Sequence, residues 1–302
     1  MPQDYLLGID LGGTKIEAAI IEKHSLDVIE RMRTPTNSFE GYDAIVHRIA
    51  DLANQICQKH DFHPAHIGIG TPGCLDPATN TMKNCNSTVL NGMPLKMDLE
   101  AIIGLEIRMS NDANCFAVAE AKMGAVPKIM PEAQVVFGVI MGTGVGGGVV
   151  VNGKVINGRH GIGGEWGHNF LDESGGPCYC GKSGCVEKVL SGPNLEKYYY
   201  DNSGISLKMR EIAQNYRNGT DEIATATMHR LFHLFGKAIT QVINILDPDV
   251  IVIGGGVGNI DELYTEAPKF AKDYIFNSGK ITTPFIKPVL GDSAGVFGAA
   301  ML

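Results

Sequence analysis

A unit of strand, glycine turn and strand is used twice in this 302-residue chain. Residues 5–21 read YLLGID, LGGTK and IEAAII, and residues 135–151 read VVFGVIM, GTGVGGG and VVV. Gly8, Ile9 and Gly12 of the first copy thereby match Gly138, Val139 and Gly142 of the second. An apolar run that turns on glycines and returns as another apolar run predicts a hairpin. Two copies separated by about half the chain predict two similar α/β lobes, each presenting a glycine turn to a shared cleft. No Pro-rich or Ser-rich linker separates them, so the repeat alone sets the boundary. Residues 1–115 plus 290–302 are expected to form the small lobe, and residues 116–289 the larger one.

Between the copies, Tyr42, Ile45, Val46, Ile49, Leu52, Ala53 and Ile56 recur at helical spacing, with Ser38 as the expected cap. The run HIGIGTPG at 66–73 predicts a buried strand ending in a Pro-Gly turn, and LEIRMSND at 105–112 a strand whose end delivers Asn111 and Asp112. Strand ends are where α/β proteins place their chemistry. Residues 222–246 carry the longest helical pattern, stopped by Asp247-Pro248. DVIVIGGGVGN then predicts a strand running into a third glycine turn, and SAGVFGAAML a short helix of small residues.

Composition narrows the partners. Apolar residues at 44% and charged residues at 19% are ordinary for a globular chain of about two domains. A formal charge of -8, from 25 basic and 33 acidic side chains, gives no footprint for nucleic acid or an anionic membrane. Asp10 breaks the first apolar run and no basic segment precedes it, so neither a signal peptide nor a membrane span is expected there. Glycine is in excess, 38 residues where ordinary usage gives roughly 21. Seven cysteines, three of them crowded between Cys178 and Cys185, suggest a reducing cytoplasm and a metal site.

GTGVGG at 142–147 matches a dinucleotide-binding glycine pattern, but that pattern needs a helix to follow and VVVNGKVI continues as a strand. The reading is a hairpin turn with exposed backbone N–H groups. One such turn need hold nothing. Two of them plus GGG at 254–256 favour a phosphate cradle made by Gly142, Thr143, Gly144, Gly255 and Gly256 together with Gly12 and Gly13. A side chain at Gly144 is then expected to weaken binding of the phosphate-bearing ligand much more than that of any second ligand. Asp10 can hold Mg²⁺ directly or through its water shell, and Thr14 can donate to a phosphate. Lys15 reads equally as a charge for the phosphates and as a solvated surface lysine.

His168, Cys178, Cys180 and Cys185, with Gly181 and Gly184 to bend the chain, supply one imidazole and three thiolates. That set completes a tetrahedral Zn²⁺ shell and leaves no open position, so the metal should be structural. His229 and His233 stand at i, i+4 on a helix without an H-E-x-x-H carboxylate and are read as surface or core residues.

GIDLGGTK, Asn111-Asp112, GEWGH at 164–168 and CYCGKSGCVE at 178–187, in this order and over essentially the whole chain, resemble the ROK family of sugar kinases. The resemblance implies a two-lobed actin-like, hexokinase-like ATPase fold with a cleft between the lobes and a zinc loop. It implies an enzyme using ATP and Mg²⁺, a structural Zn²⁺ and a homodimer. It also carries sugar contacts to Asn111, Asp112, Glu165, His168 and Glu187, with Asp112 as the catalytic base; a bare reading would make Asn111-Asp112 a helix cap. If zinc holds one ring nitrogen of His168, the other is expected to meet a sugar hydroxyl. Some members are repressors with an amino-terminal helix-turn-helix, which is not expected here because the phosphate motif begins at Gly8.

Thr71-Pro72-Gly73 is expected to wall the sugar. KNCNSTVLNGMPL at 83–95, which contains Asn86, resembles the fructokinase or mannokinase branch. The expected acceptor is therefore the 6-hydroxyl of fructose. Glucokinase and N-acetylglucosamine or N-acetylmannosamine kinase are the alternatives within the class, and a hexose- and nucleotide-binding regulator the alternative outside it.

Overall fold

The computed structural model describes residues 5–302. The first repeat is a hairpin of β1 (Tyr5–Leu11) and β2 (Lys15–Glu22), antiparallel in the register Gly8 to Ala19 and Asp10 to Glu17. β2 is a run of β-branched and small residues buried on both faces. It pairs outward with β3 (Val28–Pro35). α1 (Tyr42–Lys59) follows, burying the stripe expected from its spacing, Tyr42 through Ile56. Its N-cap is Gly41 and not Ser38, which lies in a preceding turn of 3-10 helix. β4 (His66–Thr71) runs parallel to β1. The short ribbon β5 (Cys74–Leu75) and β6 (Met82–Lys83) and then α2 (Leu95–Ile103) lead to β7 (Glu106–Asn111), parallel to β4. The sheet order is β3-β2-β1-β4-β7. α3 (Asp112–Lys122) and α4 (Val126–Ile129) complete this stretch.

The second repeat is also a hairpin, β8 (Val135–Met141) and β9 (Val145–Val151), continued by β10 (Lys154–Val155). After a loop region come α5 (Val186–Leu190), α6 (Gly192–Ser203), α7 (Met209–Asn218) and the long α8 (Glu222–Leu246), which ends where Asp247-Pro248 was expected to stop it. β11 (Val250–Gly254) is fully buried and parallel to β8. The third glycine run follows its strand as expected but differs from the first two. Its last two glycines open a four-residue helix, α9 (Gly255–Gly258), so this turn is a strand-to-helix junction and not a hairpin. α10 (Leu263–Ala271) and β12 (Phe285–Ile286) complete a sheet ordered β10-β9-β8-β11-β12. The tail forms α11 (Ala294–Ala300).

Two compact units result. One holds the chain up to Ile129 with residues 148–164 and Val289–Leu302; the other holds Met130–Gly147 and Glu165–Pro288. The division expected at residue 115 therefore moves, and a return excursion at 148–164 was not anticipated. Packing explains the difference, because α3 and α11 lie against each other and α11 rests directly on the first sheet. A Cβ on Gly8 would overlap the backbone of Val296 and Ala300, and one on Gly68 the backbone of Ala299. Part of the glycine excess thus brings helix backbone onto strand backbone. Among the described residues no helix is long and apolar enough to cross a membrane.

Candidate active site

In the first unit, cross-strand register builds a row of side chains. Arg33, Glu17, Asp10, Gly70 and Ser110 are successive partners across β3, β2, β1, β4 and β7. Such partners share one face of a sheet. Glu17 is buried and gathers cations, pairing with Arg31 at 2.7 Å, Arg33 at 2.9 Å and Lys15 at 3.3 Å, while Ser293 Oγ donates to it at 3.1 Å. Burial pushes its carboxyl up, but the hydrogen bonds from Arg33 and Arg31 outweigh this and hold it below the ordinary carboxylate value. Lys15, left open between two readings, is drawn to this carboxylate.

Asp10 is pushed the other way, up to about 6, first by burial and then by the like charges of Asp112 and Glu17, with Lys15 offsetting part. The folded value lies above the unfolded one, so the ionised carboxyl costs stability. The cost is absent below about pH 4, grows through pH 4–6 and is complete above it, reaching about 1–3 kcal/mol. Asp10→Asn should therefore raise the melting temperature of the ligand-free protein at pH 7.5 by several degrees, at roughly 2–4 °C per kcal/mol. At pH 4 the gain should vanish. An equal gain at both pH values would show that the carboxyl is not strained.

The first glycine turn is pinned by a residue that no motif singled out. Thr36 Oγ1 donates to the Gly12 carbonyl at 2.6 Å, its N–H donates to the Thr14 carbonyl at 3.0 Å, and Arg48 donates to the Thr36 carbonyl at 3.0 Å. Gly12 N–H closes the turn on the Lys15 carbonyl at 3.0 Å. The signal available in the sequence was only a threonine directly after a proline, Pro35-Thr36.

At the end of β7 the two polar residues divide their work. Asn111 is the N-cap of α3, its side-chain oxygen accepting from Asn114 N–H at 2.8 Å. Asp112 is the first helical residue, and one of its oxygens accepts from Ala113 N–H at 2.7 Å. It is exposed whereas Asn111 is buried.

Gly73 is small for packing: a Cβ there would come within 2.6 Å of Cys85 Sγ and the Lys83 carbonyl. In the 83–95 segment, Asn91 spends both ends of its amide on Cys85, accepting from its N–H at 2.8 Å and donating to its carbonyl at 3.2 Å. Asn86 is exposed.

In the second unit, Gly142 N–H donates to the Gly144 carbonyl and Gly192 N–H to the Gly142 carbonyl, each at 2.9 Å. Glu187 reaches the same turn. Its Oε2 accepts from Val145 N–H at 3.0 Å and lies 2.6 Å from where a Gly144 Cβ would stand. Thr143 at the tip is exposed. Gly255, at φ 82°, packs on the Met141 backbone, whereas a Cβ on Gly256 would meet open space.

Trp166 fixes the Glu165 to His168 turn by donating from Nε1 to the Gly146 carbonyl at 3.1 Å and by edge contacts with Phe137 and Phe235. His168, Cys178, Cys180 and Cys185 converge, all four ligand atoms lying within 4.8 Å of one another. Cys178 Sγ is 3.7 Å from His168 Nδ1, and Cys180 Sγ is 3.6 Å from Cys185 Sγ. Ligand atoms of a tetrahedral zinc site stand about 3.6–3.8 Å apart, given bonds of about 2.3 Å to sulfur and 2.0 Å to nitrogen. The donor set fits. The second ring nitrogen of His168, expected to be open, instead meets the Tyr179 hydroxyl at 3.0 Å. Burial, followed by the charge of Glu187, raises that phenol to about 12, so it stays neutral.

The ROK family model matches residues 6–302. The chain belongs to the ROK family. Among ROK relatives, the N-acetyl-D-glucosamine kinase of Pasteurella multocida (strain Pm70) is 36% identical, with 98% of each chain covered. The ROK hexokinase of Thermus thermophilus superposes with a TM-score of 0.86 at 30% identity, over 98% of this chain and 97% of that one. A ROK glucokinase of Streptomyces griseus, solved with glucose and AMPPNP, gives 0.75 at 25% identity, with 98% of each chain covered. The two-lobed ROK sugar kinase fold expected from the motifs is therefore the one observed.

Proposed function

We propose that the chain is an ATP-dependent sugar kinase whose leading acceptor is N-acetyl-D-glucosamine, with transfer to the 6-hydroxyl. One observation carries the choice of sugar: the end-to-end likeness to an enzyme of that name. Fructose had rested on the asparagine pattern of residues 83–95. In that pattern Asn91 is occupied in folding its own loop, so part of the pattern reports backbone geometry and not a sugar.

The proposed roles follow the chemistry of each group. Asp112, exposed at a helix start, takes the proton of the acceptor hydroxyl as its oxygen attacks the γ-phosphorus and ADP leaves. Backbone N–H groups of the two glycine turns, at Gly13, Thr143 and Gly144, face the phosphates, those of Gly12 and Gly142 closing the turns so that the phosphates can approach, with Gly255 and Gly256 beside the nucleotide. Mg²⁺, held through Asp10, would neutralise phosphate charge, and a cation is what a carboxyl crowded by like charges accommodates. Zinc in the His168, Cys178, Cys180 and Cys185 cluster would be structural, holding the loop that leads into α5 and so placing Glu187 in its first turn. Glu165, His168 and Glu187 then offer polar atoms to sugar hydroxyls, as do Asn86, Asn111 and the Gly73 backbone.

The test is ADP release with ATP, Mg²⁺ and a panel of N-acetyl-D-glucosamine, N-acetyl-D-mannosamine, glucose, mannose and fructose, on protein assayed for metal. The highest kcat/KM is expected for N-acetyl-D-glucosamine, with about one zinc per chain. A preference for fructose would restore the branch suggested by residues 83–95, and binding without turnover would make the protein a regulator.

A further inference from the structure

We propose that the Tyr179 hydroxyl is a built-in stand-in for a sugar hydroxyl, occupying Nε2 of His168 until the acceptor displaces it. The inference rests on the sugar kinase reading above and adds a residue that sets how tightly the sugar is held.

Tyr179 lies between two members of the thiol cluster, Cys178 and Cys180, so the cluster ties its backbone on both sides. The side chain is differently placed. The residue is 67% exposed while its hydroxyl end is partly covered, and it meets His168 through the hydroxyl contact at 3.0 Å and an edge-on ring contact at 5.2 Å and 86°. An exposed phenol anchored at its tip can rotate about χ1 while its backbone stays fixed.

The imidazole defines what is being occupied. With Nδ1 beside Cys178 and given to the zinc that the cluster fits, the ring proton belongs on Nε2, which would then donate to the Tyr179 oxygen. A single N–H serves one strong acceptor at a time. A sugar hydroxyl that accepts from His168 must therefore replace the phenol, which can turn out to water with little loss because most of its ring is already there. The trade costs the sugar roughly the net value of one hydrogen bond, about two- to tenfold in affinity. If Tyr179 instead served to brace the ring, its removal would loosen His168 and weaken sugar binding.

Calorimetry of Tyr179→Phe against the wild type, without nucleotide, separates these. The probe is the panel sugar that the wild type binds most tightly, and zinc content is measured on each sample. Phe keeps the ring and deletes the stand-in, so Kd should fall by about two- to tenfold, with the gain appearing in KM more than in kcat and zinc retained. Tyr179→Ser, whose hydroxyl is too short to reach Nε2, should tighten binding as Phe does. Unchanged or weaker binding in both variants with zinc retained overturns the proposal, and so does loss of zinc in both, which would make Tyr179 part of the cluster's support. A wild type that binds no panel sugar overturns the kinase reading and this inference together; one that binds a sugar other than N-acetyl-D-glucosamine removes only that choice of acceptor.

Discussion

Asp112→Asn is expected to lower kcat by about 10²- to 10⁴-fold, the usual contribution of a positioned general base, while sugar Kd changes little. The amide keeps the size of the side chain and one acceptor oxygen, so the Ala113 N–H retains a partner. What it cannot do is take up the proton as charge develops on the attacking oxygen. Stability gives an independent reading of the same variant. The cap of α3 is supplied by Asn111, and substitution of Asp112 removes a favourable charge near the helix start, about 0.3–1 kcal/mol. Against this, Asp10 loses a like-charged neighbour. The melting temperature should stay within a few degrees of wild type or rise. Near-normal kcat with a lowered melting temperature would assign Asp112 a structural role and remove it from catalysis.

The sequence read well wherever a signal was local. Two glycine hairpins, the buried stripe of α1 and the stop of α8 at Asp247-Pro248 are each written within about 25 residues, and each was found where expected. The His168 and cysteine cluster was also legible, because its members lie within 18 residues of one another. What escaped was set by partners far along the chain. The unit boundaries depend on α3 packing with α11, some 180 residues away. Glu17 gathers its cations and Ser293 through strand register and the returning tail, and Thr36 reaches Gly12 from the end of a strand two removed. A linear motif cannot show which side chains a register brings abreast. Gly41 rather than Ser38 at the start of α1 is a smaller miss of the same kind, since the intervening 3-10 turn displaces the expected cap.

The same limitation changes what Gly144→Val should do. From sequence, a side chain there stands in the way of a phosphate, and ATP binding should suffer much more than sugar binding. The structure places the Glu187 carboxylate 2.6 Å from that Cβ, bonded to the Val145 N–H, so valine must drive Glu187 off the turn. Glu187, two residues after Cys185, is bonded to the glycine turn and is also one of the proposed sugar contacts. Losing a hydrogen bond to a charged group is worth about 1.5–3 kcal/mol, or roughly 10- to 150-fold in affinity. Both ATP and sugar binding should weaken by this order, with the fold intact, because Gly144 is not at a positive φ and the hairpin does not need glycine for its backbone angles. Gly256→Ala is the contrast: its Cβ would enter open space in the ligand-free protein, so sugar affinity should stay at wild type and only ATP should weaken. Measuring both dissociation constants and the melting temperature on the two variants decides the matter. A Gly144→Val protein that melts normally, binds sugar as wild type and loses only ATP would show that Glu187 does not link the two ligands.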